Sequence, residues 1–289
     1  MSASVLYDAP GPRTVRRHRL YTVLVSLVLL GIVALVLLRL QQKGQFDYDL
    51  WEVFITPRYV EVILVDGVLT TLKMAASAVV GALVFGLVLG VAKLADRRWI
   101  SVPAAVVVEF FRAVPALLMM ILVFFTFGVT RGESGAYWSV VVALTLYNGS
   151  VLAEVFRAGI VAVPKGQSEA AYALGMSKNQ VTNLILLPQA VKIMLPSIIS
   201  QCVVALKDTS LGYAVAAPGL TAVTRLIYLQ FNNQVPAIFV TAALYILMCL
   251  ALTLLATWVQ KRYVGERNPL DVTRVGAVGV GSGAGAGTV

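Results

Sequence analysis

Six long apolar blocks, each bounded by charge, leave this chain few folds. They cover residues 20–38, 67–94, 104–127, 137–161, 187–206 and 236–259. A run of about twenty apolar residues spans the roughly 30 Å of bilayer hydrocarbon. In lipid every backbone N–H and C=O must find its partner within the protein, so blocks of this length are read as helices. With 59% hydrophobic residues, 13% charged residues and a mean hydropathy of +0.85, the chain carries more apolar surface than a water-soluble core of 289 residues absorbs. The expected fold is all-α and integral to the membrane. The first block is longer than a signal h-region and runs into Arg39 and Leu40 without a small-residue cleavage pattern, so it counts as a span. In the second, Ser77, Gly81, Gly86 and Gly90 form a small-residue face that predicts close helix packing.

The net charge of +9 and pI near 9.7 do not point to nucleic acid, because the basic residues gather at block ends without interleaved aromatics. They report topology. With the amino terminus inside, Arg13 to Arg19, Lys93 with Arg97 and Arg98, Arg157 with Lys165 and Lys178, and Lys261 with Arg262 share one side, which the positive-inside rule makes cytoplasmic. The other side holds Arg39, Lys43, Arg58, Arg131, Lys207 and Arg225. Residues 1–19 are then a basic cytoplasmic terminus, both termini lie inside, and the Gly/Ala/Val/Ser stretch 275–289 reads as a flexible tail. Cys202 and Cys249 lie in apolar stretches and read as small buried hydrophobes.

Between the fourth and fifth blocks lies a polar interruption. Pro164 closes the preceding helix, Ser168 offers an N-cap oxygen, and Glu169 suits the positive end of a new helix. Ala170, Ala171, Ala173 and Leu174 propagate it, Gly175 stops it, and Ser177 with Gln180 has capping-box spacing. Two short helices joined by a bend are expected over residues 164–180. Such an element either lies on lipid headgroups or presents a low-relief alanine surface to another protein, with Tyr172, Leu174 and Met176 as apolar contacts.

Glu169-Ala170-Ala171, then Gly175, then Ile185, Leu187 and Pro188 resembles the signature of inner-membrane permease subunits of binding-protein-dependent ABC importers. Further segments are similar to the polar amino acid branch of that family, which includes histidine, glutamate and glutamine permeases: Asp66 to Thr71, Glu109 to Pro115 with Ala113 where Gly is usual, Ala153 to Ile160, Pro164 to Gln167, and Leu206 to Leu211. Within the branch the chain resembles actinobacterial glutamate permeases. The resemblance implies a type I importer permease of six transmembrane helices, a five-helix core over residues 66–262 preceded by one additional helix at 20–38. It also implies two ATPase subunits that carry ATP and Mg, a second permease completing a heterodimer, an extracellular binding protein, and an amino acid, glutamate foremost, moving inward across the plasma membrane. Coupling to the ATPase would fall to Glu169, Ala170, Ala171, Gly175, Ser168 and Leu174.

The chain itself has no Gly-x-x-x-x-Gly-Lys-Ser/Thr phosphate loop, no catalytic nucleophile with a base, and a single histidine, His18, among arginines, so no cofactor, metal or catalytic site is expected in it. Glu109 and Arg112, like Glu154 and Arg157, are spaced to pair on one helix face, either anchoring a helix end or forming part of an inner gate. Asn148, Ser150, Tyr147 and Gln201 are polar groups at membrane depth, where they must face protein or a wet path. Lys207 and Asp208 either pair with each other or meet the charged ends of an amino acid, with Thr209 and Ser210 adding hydroxyls; for an acidic ligand the available cations are Lys73, Arg131, Lys207 and Arg225. A secondary transporter or an ion-coupled channel is the rival reading. The first normally shows paired halves, absent here, and neither explains residues 168–180.

Overall fold

A computed structural model of the chain describes residues 12–264, all of whose regular structure is helical. The tail expected at 275–289 and the first part of the basic terminus lie outside the described residues. Helix α1 (Pro12–Gln42) is exposed along its apolar length. The core begins with α2 (Thr70–Lys93), entered through a short helix at Pro57–Val62 and a π-type segment at Ile63–Leu69. Then come α3 (Arg98–Ala113), α4 (Ala116–Val123), α5 (Gly132–Val161), α6 (Lys165–Ala173), α7 (Leu187–Asp208), α8 (Leu220–Phe231) and α9 (Gln234–Val264).

The centre of the fold is the α2–α5 seam. Along α2 the buried positions are Thr71, Met74, Ala75, Ala78, Ala82, Gly86 and Gly90, a three-and-four-residue stripe of mostly small side chains. A Cβ on Gly86 would stand 2.7 Å from the Gly149 carbonyl oxygen, and one on Gly90 would stand 2.9 Å from that of Ala153. The missing side chains let the two backbones approach, as the small-residue face of the sequence predicts. The opposite face of α2, including Val80, Val84, Leu87, Val88 and Val91, is exposed and apolar.

Five runs are long and apolar enough to cross a membrane: Arg13–Gln42, Pro57–Lys93, Ala116–Val161, Val181–Val215 and Gln234–Arg262. The third holds two antiparallel limbs. Gly132 adopts a left-handed φ of +57°, and beyond it α5 folds back so tightly that a Cβ on Gly135 would stand 2.0 Å from the Gly128 carbonyl oxygen. The span expected at 104–127 is therefore corrected. Val114 and Pro115 are extended, the proline ring blocks continuation of the preceding helix, and the segment divides into α3 and α4.

Helix α8 has no counterpart among the six apolar blocks, because its twelve residues are too few to span. Its first N–H, at Leu220, donates to the buried Thr71 hydroxyl at 2.9 Å, which ties it to the start of α2. Gly219, with φ +135°, makes the turn before it. Asn233 likewise ties the α8–α9 turn to the chain before α2 by donating to the Leu50 carbonyl at 2.9 Å.

Filling the seam should be harmful, and filling the lipid-facing side should not. Gly86→Leu is expected to lower stability by about 1–3 kcal/mol through overpacking, whereas Leu87→Ala on the exposed side stays within roughly 0.5 kcal/mol. Thermal unfolding of the two purified variants in the same detergent tests this, and equal midpoints would refute the seam's role.

Candidate functional site

The polar interruption folds as a helix, a glycine turn and a second capped turn. Helix α6 starts directly after the extended Pro164, about a turn earlier than expected. Ser168 lies inside the helix, its hydroxyl donating to the Lys165 carbonyl at 2.8 Å. The expectation of Ser168 as N-cap is thus corrected: a serine within a helix turns its hydroxyl back to an upstream carbonyl. At the far end the Gly175 N–H donates to the Tyr172 carbonyl at 2.9 Å and the Met176 N–H to that of Ala171 at 3.3 Å, the paired closure of a Schellman turn. Gly175 has φ +78° with open space around its Cα, so backbone conformation alone demands glycine there. The capping box forms as predicted, with the Ser177 N–H donating to Gln180 Oε1 at 2.8 Å.

One face of α6 is turned inward. Ala171 is only 4% exposed, so it belongs to the packing of α6 on the π-type segment Val181–Leu186 and is removed from the outward surface expected of it. That wide segment lies just upstream of Pro188, whose missing N–H deprives a preceding carbonyl of its helical donor. Glu169, Ala170 and Ala173 are exposed, and Leu174 is 83% exposed. Glu169, Ala170, Ala173 and Leu174 therefore form the outward-facing part of α6 and its end.

The two acidic–basic pairs seen in the sequence prove to be one cluster. Arg112 Nη1 donates to Glu109 at 3.2 Å, and Arg157 Nε donates to Glu154 at 3.0 Å. Lys93, at the end of α2, stands between them, bonded to Glu154 and 3.6 Å from Glu109. Its side chain is 10% exposed and that of Glu154 21%, so the α2 and α5 ends share a partly desolvated ion pair, where charged hydrogen bonds are strong. Sequence reasoning missed Lys93 because it served there only as a topological charge; only folding brings it within reach of Glu154.

A second contact, exposed, joins the same end of α2 to the element after α6: Lys178 donates to Asp96. This hydrogen bond, with its Coulomb attraction, holds the Asp96 carboxyl below the usual carboxylate range and the Lys178 ammonium above its own. The strut is therefore intact at neutral pH. It weakens as pH falls through the lowered carboxyl pKa or rises through the raised ammonium pKa.

The polar residues at membrane depth serve packing. Asn148 is buried, accepts from Gln201 Nε2 at 2.5 Å and donates to the Leu144 carbonyl at 3.1 Å, which fastens α5 to α7. It faces protein, one of the two placements the sequence left open to it. Ser150 is also fully buried, its hydroxyl without a hydrogen-bond partner among the described residues, and Gln201 is half-buried. The Thr209 hydroxyl donates to the Leu206 carbonyl at 2.7 Å, so it is occupied within the helix end. Among the described residues no ion pair joins exposed Lys207 to half-buried Asp208. Lys73 is exposed on the outer face of α2. Ser210 lines a cavity of about 490 Å³ between the segment after α7, α8 and α9, together with Tyr213, Thr224, Tyr228, Thr241 and Tyr245. Arg225 lies at its margin, 5.6 Å from the Tyr213 ring centroid. Sequence reasoning named Ser210 and Arg225 but missed the tyrosines and threonines, which are scattered along the chain and meet only because α8 folds between its neighbours.

A multi-pass helical bundle with a protruding helix-turn element has the architecture of a membrane permease subunit. The chain belongs to the family of binding-protein-dependent transport system inner membrane components, whose model matches residues 68–265. It is 42% identical over 229 residues to the glutamate transport system permease protein GluD of Corynebacterium glutamicum, covering 77% of this chain and 83% of that one. Against the glutamate/aspartate import permease protein GltK of Escherichia coli O157:H7 it is 31% identical over 208 residues, 69% of this chain and 92% of that one. Among solved structures it resembles a crystal structure of an amino acid ABC transporter with histidines, at TM-score 0.64 and 26% identity, covering 71% of this chain and 95% of that one.

The Lys93–Glu154 bond is open to a double-mutant cycle. Lys93→Met, Glu154→Gln and their combination should yield a coupling energy of roughly 1–3 kcal/mol in unfolding experiments. Additive single-site effects would show that the ends of α2 and α5 are not joined through this pair.

Proposed function

We propose that this chain is one permease of an ATP-driven importer that carries a polar amino acid, glutamate, inward across the plasma membrane. Its partners in this reading are a dimer of ATPase subunits holding ATP and Mg, a second permease in a heterodimer, and an extracellular binding protein. Both termini are cytoplasmic, so α6 faces the ATPase. The observation that carries the reading is the projecting α6, with Glu169, Ala170 and Leu174 exposed and its opposite face seated through Ala171. The substrate assignment is supported by relatives named as glutamate and glutamate/aspartate permeases.

The mechanism rests on how α6 is held. Closure of the ATPase dimer pushes on Leu174 and Glu169, and the Schellman turn at Gly175 keeps α6 and the following segment as one body. Force passes through the π-type segment into α7 and through the Asp96–Lys178 strut into the end of α2. There Lys93, Glu109, Arg112, Glu154 and Arg157 act as the inner gate: the cluster holds the ends of α2, α3 and α5 together and must rearrange for them to separate. On the outer side, Ser210 and the cavity it lines, with Lys73, Lys207, Asp208 and Thr209 nearby in sequence or on the entry face, are the candidates for meeting the amino acid.

Glu169→Lys should leave the protein in the membrane while ATP-driven uptake by the reconstituted complex falls below about a tenth of wild type, the loss that roughly 1.4 kcal/mol of docking energy produces. Unchanged uptake would overturn the coupling role. In proteoliposomes loaded with ATP and treated with ionophores, glutamate uptake should persist, and unlabelled glutamate should compete better than glutamine, arginine or histidine. Uptake abolished by ionophores would instead indicate ion-gradient coupling.

A further inference from the structure

We infer that the basic turns at the start of α1 form a binding surface for the phosphate headgroups of anionic phospholipids, independently of how the permease core is coupled. Arg13, Arg16 and Arg19 succeed one another at three-residue spacing, and Arg17 lies four residues after Arg13, so all four occupy one side of the helix. All are exposed. Like charges at these spacings repel, and cations gain nothing from the positive end of a helix dipole, so the arrangement is unfavourable without an anion.

Among the described residues the chain supplies no such anion nearby. From residue 12 to residue 46 there is no Asp or Glu, and none of the ion pairs among the described residues involves these arginines. No described residue supplies the counter-charge, and the apolar surroundings of the arginines carry its assignment to a lipid. They line a shallow surface hollow together with Leu20 and Val23, so an anion held there has apolar side chains beside it. Arg17 donates to the Tyr21 hydroxyl at 3.4 Å and lies 5.8 Å from the Tyr21 ring centroid, which turns its guanidinium toward the apolar run.

The spacing matches a bilayer. Arg19 and Arg39 bound the exposed, predominantly apolar stretch 20–38, and at 1.5 Å per residue they stand about 30 Å apart along the axis, one at each edge of a hydrocarbon layer roughly 30 Å thick. Four arginines lie at one end, against Arg39 and Lys43 at the other. Guanidinium forks pair with phosphate oxygens through two parallel hydrogen bonds, and a negative lipid adds net charge that a zwitterionic one lacks. An acidic protein surface is the competing occupant, but it would not require apolar contacts below the arginines.

The test uses the full complex released from nanodiscs of phosphatidylcholine containing phosphatidylglycerol. Native mass spectrometry then counts the lipids retained. Wild type is expected to enrich phosphatidylglycerol over its bulk fraction. Each arginine near an anionic surface favours association by roughly fivefold, so replacing Arg13, Arg16, Arg17 and Arg19 by Gln should reduce the enrichment by at least about fivefold. Replacement by Lys, which keeps the charge, should preserve most of it. The inference is overturned if the glutamine variant retains as much phosphatidylglycerol as wild type, if wild type shows no preference over phosphatidylcholine, or if the variant instead loses a partner subunit while its lipid count is unchanged.

Discussion

The close approach of α2 and α5 is the constraint on which the remaining structure rests. Between membrane helices there is little hydrophobic drive, since lipid is as apolar as leucine, and association depends on contact and hydrogen bonding. Gly86 and Gly90 permit that contact by removing side chains where the backbones of Gly149 and Ala153 must lie. A single Cβ there would separate the helices and carry Lys93 away from Glu154. The seam thus fixes the ion cluster, and the cluster fixes where the segment leading to α6 leaves the bundle.

Around the seam, polar groups act mainly as fasteners. Asn148 with Gln201, Thr71 with the Leu220 N–H, and Asn233 with the Leu50 carbonyl each join elements distant in sequence. In a medium without water every such group needs a partner, and the partner's position then becomes part of the fold. The projecting face of α6 and the apolar sides of α1, α2 and α9 are among the surfaces left uncovered.

The element carrying Glu169 is built to be stiff where it bends. A Schellman closure at Gly175 and a capping box at Ser177 satisfy the backbone groups that a helix end exposes, so the turn resists fraying. The adjoining π-type segment before Pro188 is the weaker place, because the ladder of hydrogen bonds is already widened there. In the proposed coupling, motion delivered to α6 enters α7 through this softer joint.

Much of this was legible in residue order. Apolar block length determined a helical membrane protein, small-residue spacing determined the packing face of α2, and Gly175 with Ser177 and Gln180 determined the turn after α6, because each depends on helical periodicity or on the local backbone alone. The break at Val114–Pro115 did not show in the apolar length of the third block, and α8 was too short to register against the hydropathy of its neighbours. What only the tertiary structure decided were the meetings across long sequence separations: Lys93 with Glu154, Asp96 with Lys178, Asn148 with Gln201, and the inward turn of Ala171. A sequence shows which side chains share a helix face, but which faces meet is set by how closely whole helices can approach, and that is a property of the packed bundle.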